Sequence, residues 1–147
     1  MFYNPTLGMI ALALIGMSLF ARQWRLSGIR ALHLALGLII AYGWMFTDNA
    51  FGIWSYVGLD FSTHTAVATA LVIYLCVHAP KATPVWLISL FAYFLFMIYK
   101  GYHTVTDIAA TAVAVALPLV LLLRYLNSFK TLNVSSYKIF GSVGVEQ

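Results

Sequence analysis

The chain has 147 residues, 63% of them hydrophobic and 8% charged, with a mean hydropathy of +0.92 and a formal charge of +4. A soluble protein carries about 25% charged residues, so this composition excludes a water-soluble globule and describes an all-α integral membrane protein. The basic residues are scattered rather than clustered, which excludes a nucleic-acid partner and leaves the positive charge to report membrane orientation.

A membrane-crossing helix needs about 20 apolar residues, with about 17 as a lower limit. Five stretches meet or approach this. The first, 5–21, is opened by Pro5, which a helix start tolerates. No basic segment precedes it and no small-residue cleavage site follows, so it reads as a span and not as a cleaved leader. The second is 31–47, after which Asp48 and Asn49 are expected to turn the chain. The third, 63–79, is closed by Pro80. The fourth, 84–102, opens at Pro84 and ends near Gly101. The fifth, 104–126, contains Pro118, where a kink is expected. Residues 1–126 are thus expected to form one transmembrane helical domain, and 127–147 a polar tail without a motif. Cys76 is the single cysteine, so there is no disulfide framework.

The basic residues give these spans a direction. Arg22, Arg25 and Arg30 follow the first span, Lys81 follows the third, Arg124 lies in the last turn of the fifth, and Lys130 and Lys138 follow it. Seven of the eight cations therefore fall on one side, with Lys100 alone on the other. The positive-inside rule makes the crowded side cytoplasmic. This predicts an N-terminus outside, a C-terminus inside, and a multi-pass protein of the cell (inner) membrane.

The opposite face, toward the periplasm or exterior, holds the chemistry. Asp48, Asp60 and Asp107 lie at or just inside it, His64 opens the third span and His103 the fifth. A helical hairpin separates the two histidines, which returns them to one membrane level. His103 and Asp107, four apart, are predicted to share a helix face. A carboxylate on one ring nitrogen holds the tautomer and leaves the other nitrogen as a base or nucleophile, while a second histidine can act as acid. Ionisable side chains within a membrane are costly and are by default functional. The plainer reading makes His103 and Asp107 a helix-start pair at the interface, with Thr104 or Thr106 as cap. His33 and His78 lie toward the cytoplasmic side and read as separate polar residues.

"FSTHT" (61–65) and "YHTVTD" (102–107) resemble the second and third motifs of the type 2 phosphatidic-acid phosphatase superfamily, and more so those of its sphingomyelin-synthase relatives. The resemblance covers roughly residues 60–115. It implies a lipid phosphatase or phosphodiester headgroup transferase, with His103 as nucleophile, Asp107 orienting it and His64 as acid. Ser62, Thr63 and Lys100 would meet the substrate phosphate, no cofactor is implied, and the partner is a lipid phosphate or phospholipid. Two departures stand out. The family's arginine, six residues before the nucleophile, is Met97, and the serine before it is Phe96. Its lysine- and arginine-bearing first motif has no counterpart. Lys100, the one cation on this side, suits a monoanionic phosphodiester better than a dianionic monoester.

Two alternatives remain open in the residues. Asp60 and His64 mirror His103 and Asp107 in spacing, and the four could hold a metal ion that activates water. The scaffold could also be a catalytically inactive membrane subunit, which leaves room for a homo-oligomer or a protein partner.

Overall fold

The structure is a computed structural model that describes residues 2–141, with side chains as far as Leu126. The described residues form α1 (Tyr3–Phe20), α2 (Trp24–Phe51), α3 (Ile53–Tyr56), α4 (Thr63–His78), a 3-10 turn (Pro80–Ala82), α5 (Thr83–Tyr99) and α6 (Val105–Gly141), with no strand among them. Four segments are long and apolar enough to cross a membrane: Tyr3–Phe20, Trp24–Phe51, Pro80–Tyr99 and Val105–Leu126. The chain is a helical membrane protein.

The second helix differs most from its predicted range. It takes in Arg25 and Arg30 at one end and Asp48 and Asn49 at the other, so these last two do not form a turn. The helix stops where Gly52 adopts φ +62° and gives its N–H to the Asp48 carbonyl at 2.7 Å, the left-handed ending that glycine accepts without strain. The Asp48 carboxylate then accepts the Trp54 N–H at 2.8 Å and starts α3. In α6 the helix runs unbroken through Pro118. The predicted tail, 127–147, lies outside the described side chains, and 142–147 outside the described residues; the α6 backbone itself continues to Gly141.

The third predicted span became α4, at 16 residues the shortest of the apolar helices. At a rise of 1.5 Å per residue it is about 24 Å long, less than the roughly 30 Å hydrocarbon layer. It nevertheless forms the axis of the bundle, packing on α1, α2, α5 and α6. Its buried face is rich in small residues (Thr65, Ala66, Ala68, Thr69, Ala70), which let neighbouring backbones approach closely where lipid provides no hydrophobic push. Opposite Ala70, Gly37 of α2 leaves room for one methyl group: a Cβ there would stand 3.5 Å from the Ala70 Cβ and 3.6 Å from a Leu119 methyl.

The surface is more apolar than that of a soluble globule, and several hydroxyl side chains lie inside with the large apolar ones. Small and hydroxyl residues such as Ser18, Ser27, Ser62, Thr65 and Thr111 are buried, while Phe46, Ile88, Phe91, Leu95 and Leu117 are exposed. Water would penalise that surface; a bilayer does not. At the end of the bundle where α2 begins, Arg30 and Ser27 donate to the Leu14 and Ile15 carbonyls of α1.

Candidate functional site

His103 owes its position to two consecutive helix signals. At the end of α5, Gly101 adopts φ +69°, its N–H bonds to the Ile98 carbonyl at 2.9 Å, and the Tyr102 N–H bonds to the Met97 carbonyl at 3.1 Å. This is the paired 5→2 and 6→1 closure of a Schellman motif. Three residues later Thr104 caps α6: its hydroxyl accepts the Asp107 N–H at 3.2 Å, and the Asp107 carboxylate accepts the Thr104 N–H at 2.9 Å. That reciprocal exchange is a capping box, with aspartate in place of the usual glutamate. His103 therefore lies between two helices, before the cap, and does not share a helix face with Asp107.

The predicted partnership changes accordingly. Asp107 is buried, and its two oxygens are taken by Thr104 (N–H and hydroxyl, the latter at 2.7 Å) and by the Asp60 N–H at 2.9 Å. It ties the loop before α4 to the start of α6, and none of its hydrogen bonds goes to His103. The carboxylate beside the ring is that of Asp60, whose Oδ2 is 3.2 Å from His103 Nδ1. The contact is an ion-pair distance without hydrogen-bond alignment. Its two ends differ in setting, with 15% of the imidazole exposed against 75% of the Asp60 side chain.

The loop carrying Asp60 is held by a second strut, the Ser62 N–H to the Thr111 hydroxyl at 3.3 Å. Asp107 and Thr111, one turn apart on α6, thus grip two successive polar positions of that loop. Between them Phe61 is buried, edge-on to Trp54 at 5.0 Å, and Trp54 is edge-on to Trp44 at 5.3 Å.

Among the described residues, no hydrogen bond or ion pair joins the other predicted residues to this pair, and His64 and Thr63 line a cavity that includes neither His103 nor Asp60. Ser62 is fully buried as the N-cap of α4, its hydroxyl accepting the Thr65 N–H at 3.3 Å, so it does not present itself to a substrate. His64 is exposed in the first turn of α4, and its carbonyl accepts the Asn4 side-chain N–H at 3.0 Å. His64 and Thr63 line a cavity of about 240 Å³ together with Asn4, Tyr42, Val67 and Tyr93. Lys100 is exposed at the end of α5, its ammonium 5.9 Å from the centre of the Tyr99 ring and 6.0 Å from that of Phe96, within cation–π reach. Met97, where the resemblance would place an arginine, is fully buried, and its sulfur receives the Thr65 hydroxyl at 3.8 Å.

The metal alternative is not assembled. Asp60, like His103, precedes its helix, which removes the mirrored helical faces. Among the described residues no three His, Cys, Asp or Glu side chains gather closely enough to hold an ion.

Two contacts escaped sequence reasoning altogether. Asn4 reaches α4 from the first turn of α1, and nothing in its local sequence marks it. His33 and His78, read as separate, meet at the opposite end of α4, with Nδ1 of one 3.1 Å from Nε2 of the other and the Tyr74 ring 4.6 Å from that of His78. They meet because α2 and α4 pack against each other, which no local pattern states.

No protein-family model matches this chain, and neither a curated protein nor a solved structure is significantly similar to it.

Proposed function

We propose that this protein is a membrane enzyme that cleaves or transfers a phosphodiester headgroup of a lipid through a histidine nucleophile. The observation that carries the reading is the partly buried His103 imidazole beside the Asp60 carboxylate, on a loop braced by Asp107 and Thr111. In this reading Asp60 takes the role that sequence reasoning gave to Asp107. A carboxylate on Nδ1 stabilises the cation that forms when Nε2 attacks. The Nε2–P bond forms as the P–O bond to the leaving group breaks, and His64 supplies the proton to the departing oxygen. Water or an acceptor hydroxyl then attacks phosphorus, loses its proton to His64 and releases His103. Lys100 is the cation at hand for a single phosphate charge.

The reading extends to topology. The short α4 counts as a fifth span because four helices jacket it, the N-terminus lies outside, and the His103 end faces the periplasm or exterior of an inner membrane. Positive-inside sidedness supports this.

A specific observation favours a second reading, an inactive membrane subunit. Asp107 is occupied as a cap, Met97 is in the core, and Lys100 sits over rings of its own helix. One experiment decides. Purified protein is incubated with phosphatidylglycerol carrying a labelled headgroup and assayed for acid-labile phosphate on histidine. An adduct present in the wild type and absent in His103→Asn supports the enzyme, and a wild type without adduct or turnover supports the subunit. In the first case His64→Ala should slow breakdown of the adduct by about 10²-fold or more, the usual scale for general acid–base catalysis.

A further inference from the structure

The cavity at His64 continues along α1. A second cavity of about 330 Å³ shares Asn4, Pro5, Tyr42 and Val67 with the first and runs on between Gly8, Leu12, Leu34, Leu38 and Leu71. The two adjoin in one groove between α1, α2 and α4, with Tyr93 of α5 at its polar end beside Asn4, Thr63 and His64, and wholly apolar beyond. The second cavity by itself reaches the size of small-molecule sites, which run from about 300 Å³ upward.

The polar end has two unmet hydrogen-bonding atoms. Asn4 Nδ2 donates to the His64 carbonyl, which can only accept, so the amide orientation is set and Oδ1 is left; it is buried without a partner. The Tyr93 hydroxyl is also buried without a partner, on a side chain 6% exposed whose ring is stacked at 4.3 Å on Tyr3. Buried polar atoms in proteins are nearly always satisfied. Oδ1 needs a donor, and the tyrosine hydroxyl takes either role. No Lys, Arg, Asp or Glu lines either cavity, and His64 is the one side chain there able to carry a positive charge, so no permanent charge compensates a charged head.

We infer that this groove seats a lipid with one acyl chain along Gly8, Leu12, Leu34, Leu38 and Leu71 and an uncharged, hydroxyl-bearing head between Asn4 and Tyr93. A hydroxyl has the two roles these atoms call for, a donor for Oδ1 and an acceptor or donor for the tyrosine. The inference shares His64 with the reaction proposed above but does not use its chemistry; its test reads binding and not adduct formation, so the failure of one is distinguished from the failure of the other.

Gly8 supplies the control, because a Cβ there meets nothing within 4 Å. A substitution at this position, which lines the groove, therefore starts without a clash at its Cβ. The protein is placed in phosphatidylcholine nanodiscs with a monoacylglycerol bearing a diazirine in its chain, and the photoadducts are mapped by mass spectrometry. The expected result is saturable labelling at Leu12, Leu34, Leu38 or Leu71 that unlabelled monoacylglycerol competes. Gly8→Phe abolishes it, and Leu12→Trp does the same if Gly8→Phe does not fold. Asn4→Leu and Tyr93→Phe each weaken competition about fivefold, the worth of one hydrogen bond. Labelling spread over the lipid-facing Phe91 and Leu117 overturns the inference, as does labelling indifferent to Gly8→Phe and Leu12→Trp. Equal competition by a headless alkane removes the head site. Stronger competition by lysophosphatidic acid removes the uncharged head.

Discussion

At the scale of single residues, two aspartates separate structure from chemistry. Asp107 carries the capping box and the strut to the Asp60 backbone, so Asp107→Asn should lower stability. Loss of a cap costs about 1 kcal/mol, within a range of about 0.5–2, and thermal unfolding in detergent reads it as a lower Tm. Asp60 is mostly exposed, and exposed ion pairs contribute about 0–1 kcal/mol. Asp60→Asn should therefore leave Tm nearly unchanged while reducing adduct formation on His103 roughly tenfold or more, as loss of an orienting carboxylate does. The reverse pattern, a Tm loss at Asp60 and an activity loss confined to Asp107→Asn, would restore Asp107 as the orienting residue. Sequence spacing could not separate the two. Both lie within reach of a histidine by count, and which one turns toward it depends on what else claims each carboxylate. The Thr104 N–H, three residues from Asp107 and free of any helical partner, claims it first.

At the scale of elements, the short connection between α5 and α6 depends on Gly101 and Thr104. An alanine at Gly101 would have to hold φ near +69°, at about 1 kcal/mol. Gly101→Ala should lower Tm and, by shifting His103, reduce adduct formation as well. Gly37 is the opposite case. The 3.5 and 3.6 Å approaches of a Cβ there are ordinary contacts, so Gly37→Ala should keep or slightly raise Tm, whereas Gly37→Leu should wedge α2 from Ala70 and Leu119 and lower it, since overpacking costs about 1–3 kcal/mol. Apolar runs and prolines marked all the long elements. They misplaced the ends of α2, because backbone hydrogen bonds continue past the apolar run until a residue such as Gly52 turns the chain. They marked α4 as a span among equals, whereas its small residues make it the buried axis.

At the scale of the whole molecule, the prediction is sidedness. In a Cys76→Ser background, cysteines placed at Ser55 or Tyr102 should react with an impermeant maleimide added outside intact cells. A cysteine at Gln23 should react after permeabilisation alone. Labelling with the two sites exchanged would invert the bundle and put His103 at the cytoplasmic face.

Hydropathy alone determined that this chain is a helical membrane protein and roughly where its helices run, because crossing a bilayer constrains composition over some 20 consecutive residues and is written locally. The charge placement and the histidines with their neighbouring carboxylates were equally visible. Tertiary structure decided which groups meet: Asp60 with His103, Thr111 with Ser62, Asn4 with His64, and His33 with His78. These partners lie on different helices or loops, and their meeting follows from which helix faces pack around α4. That packing is a balance of small-residue contacts and competing hydrogen bonds across the whole bundle, which no single stretch of sequence contains.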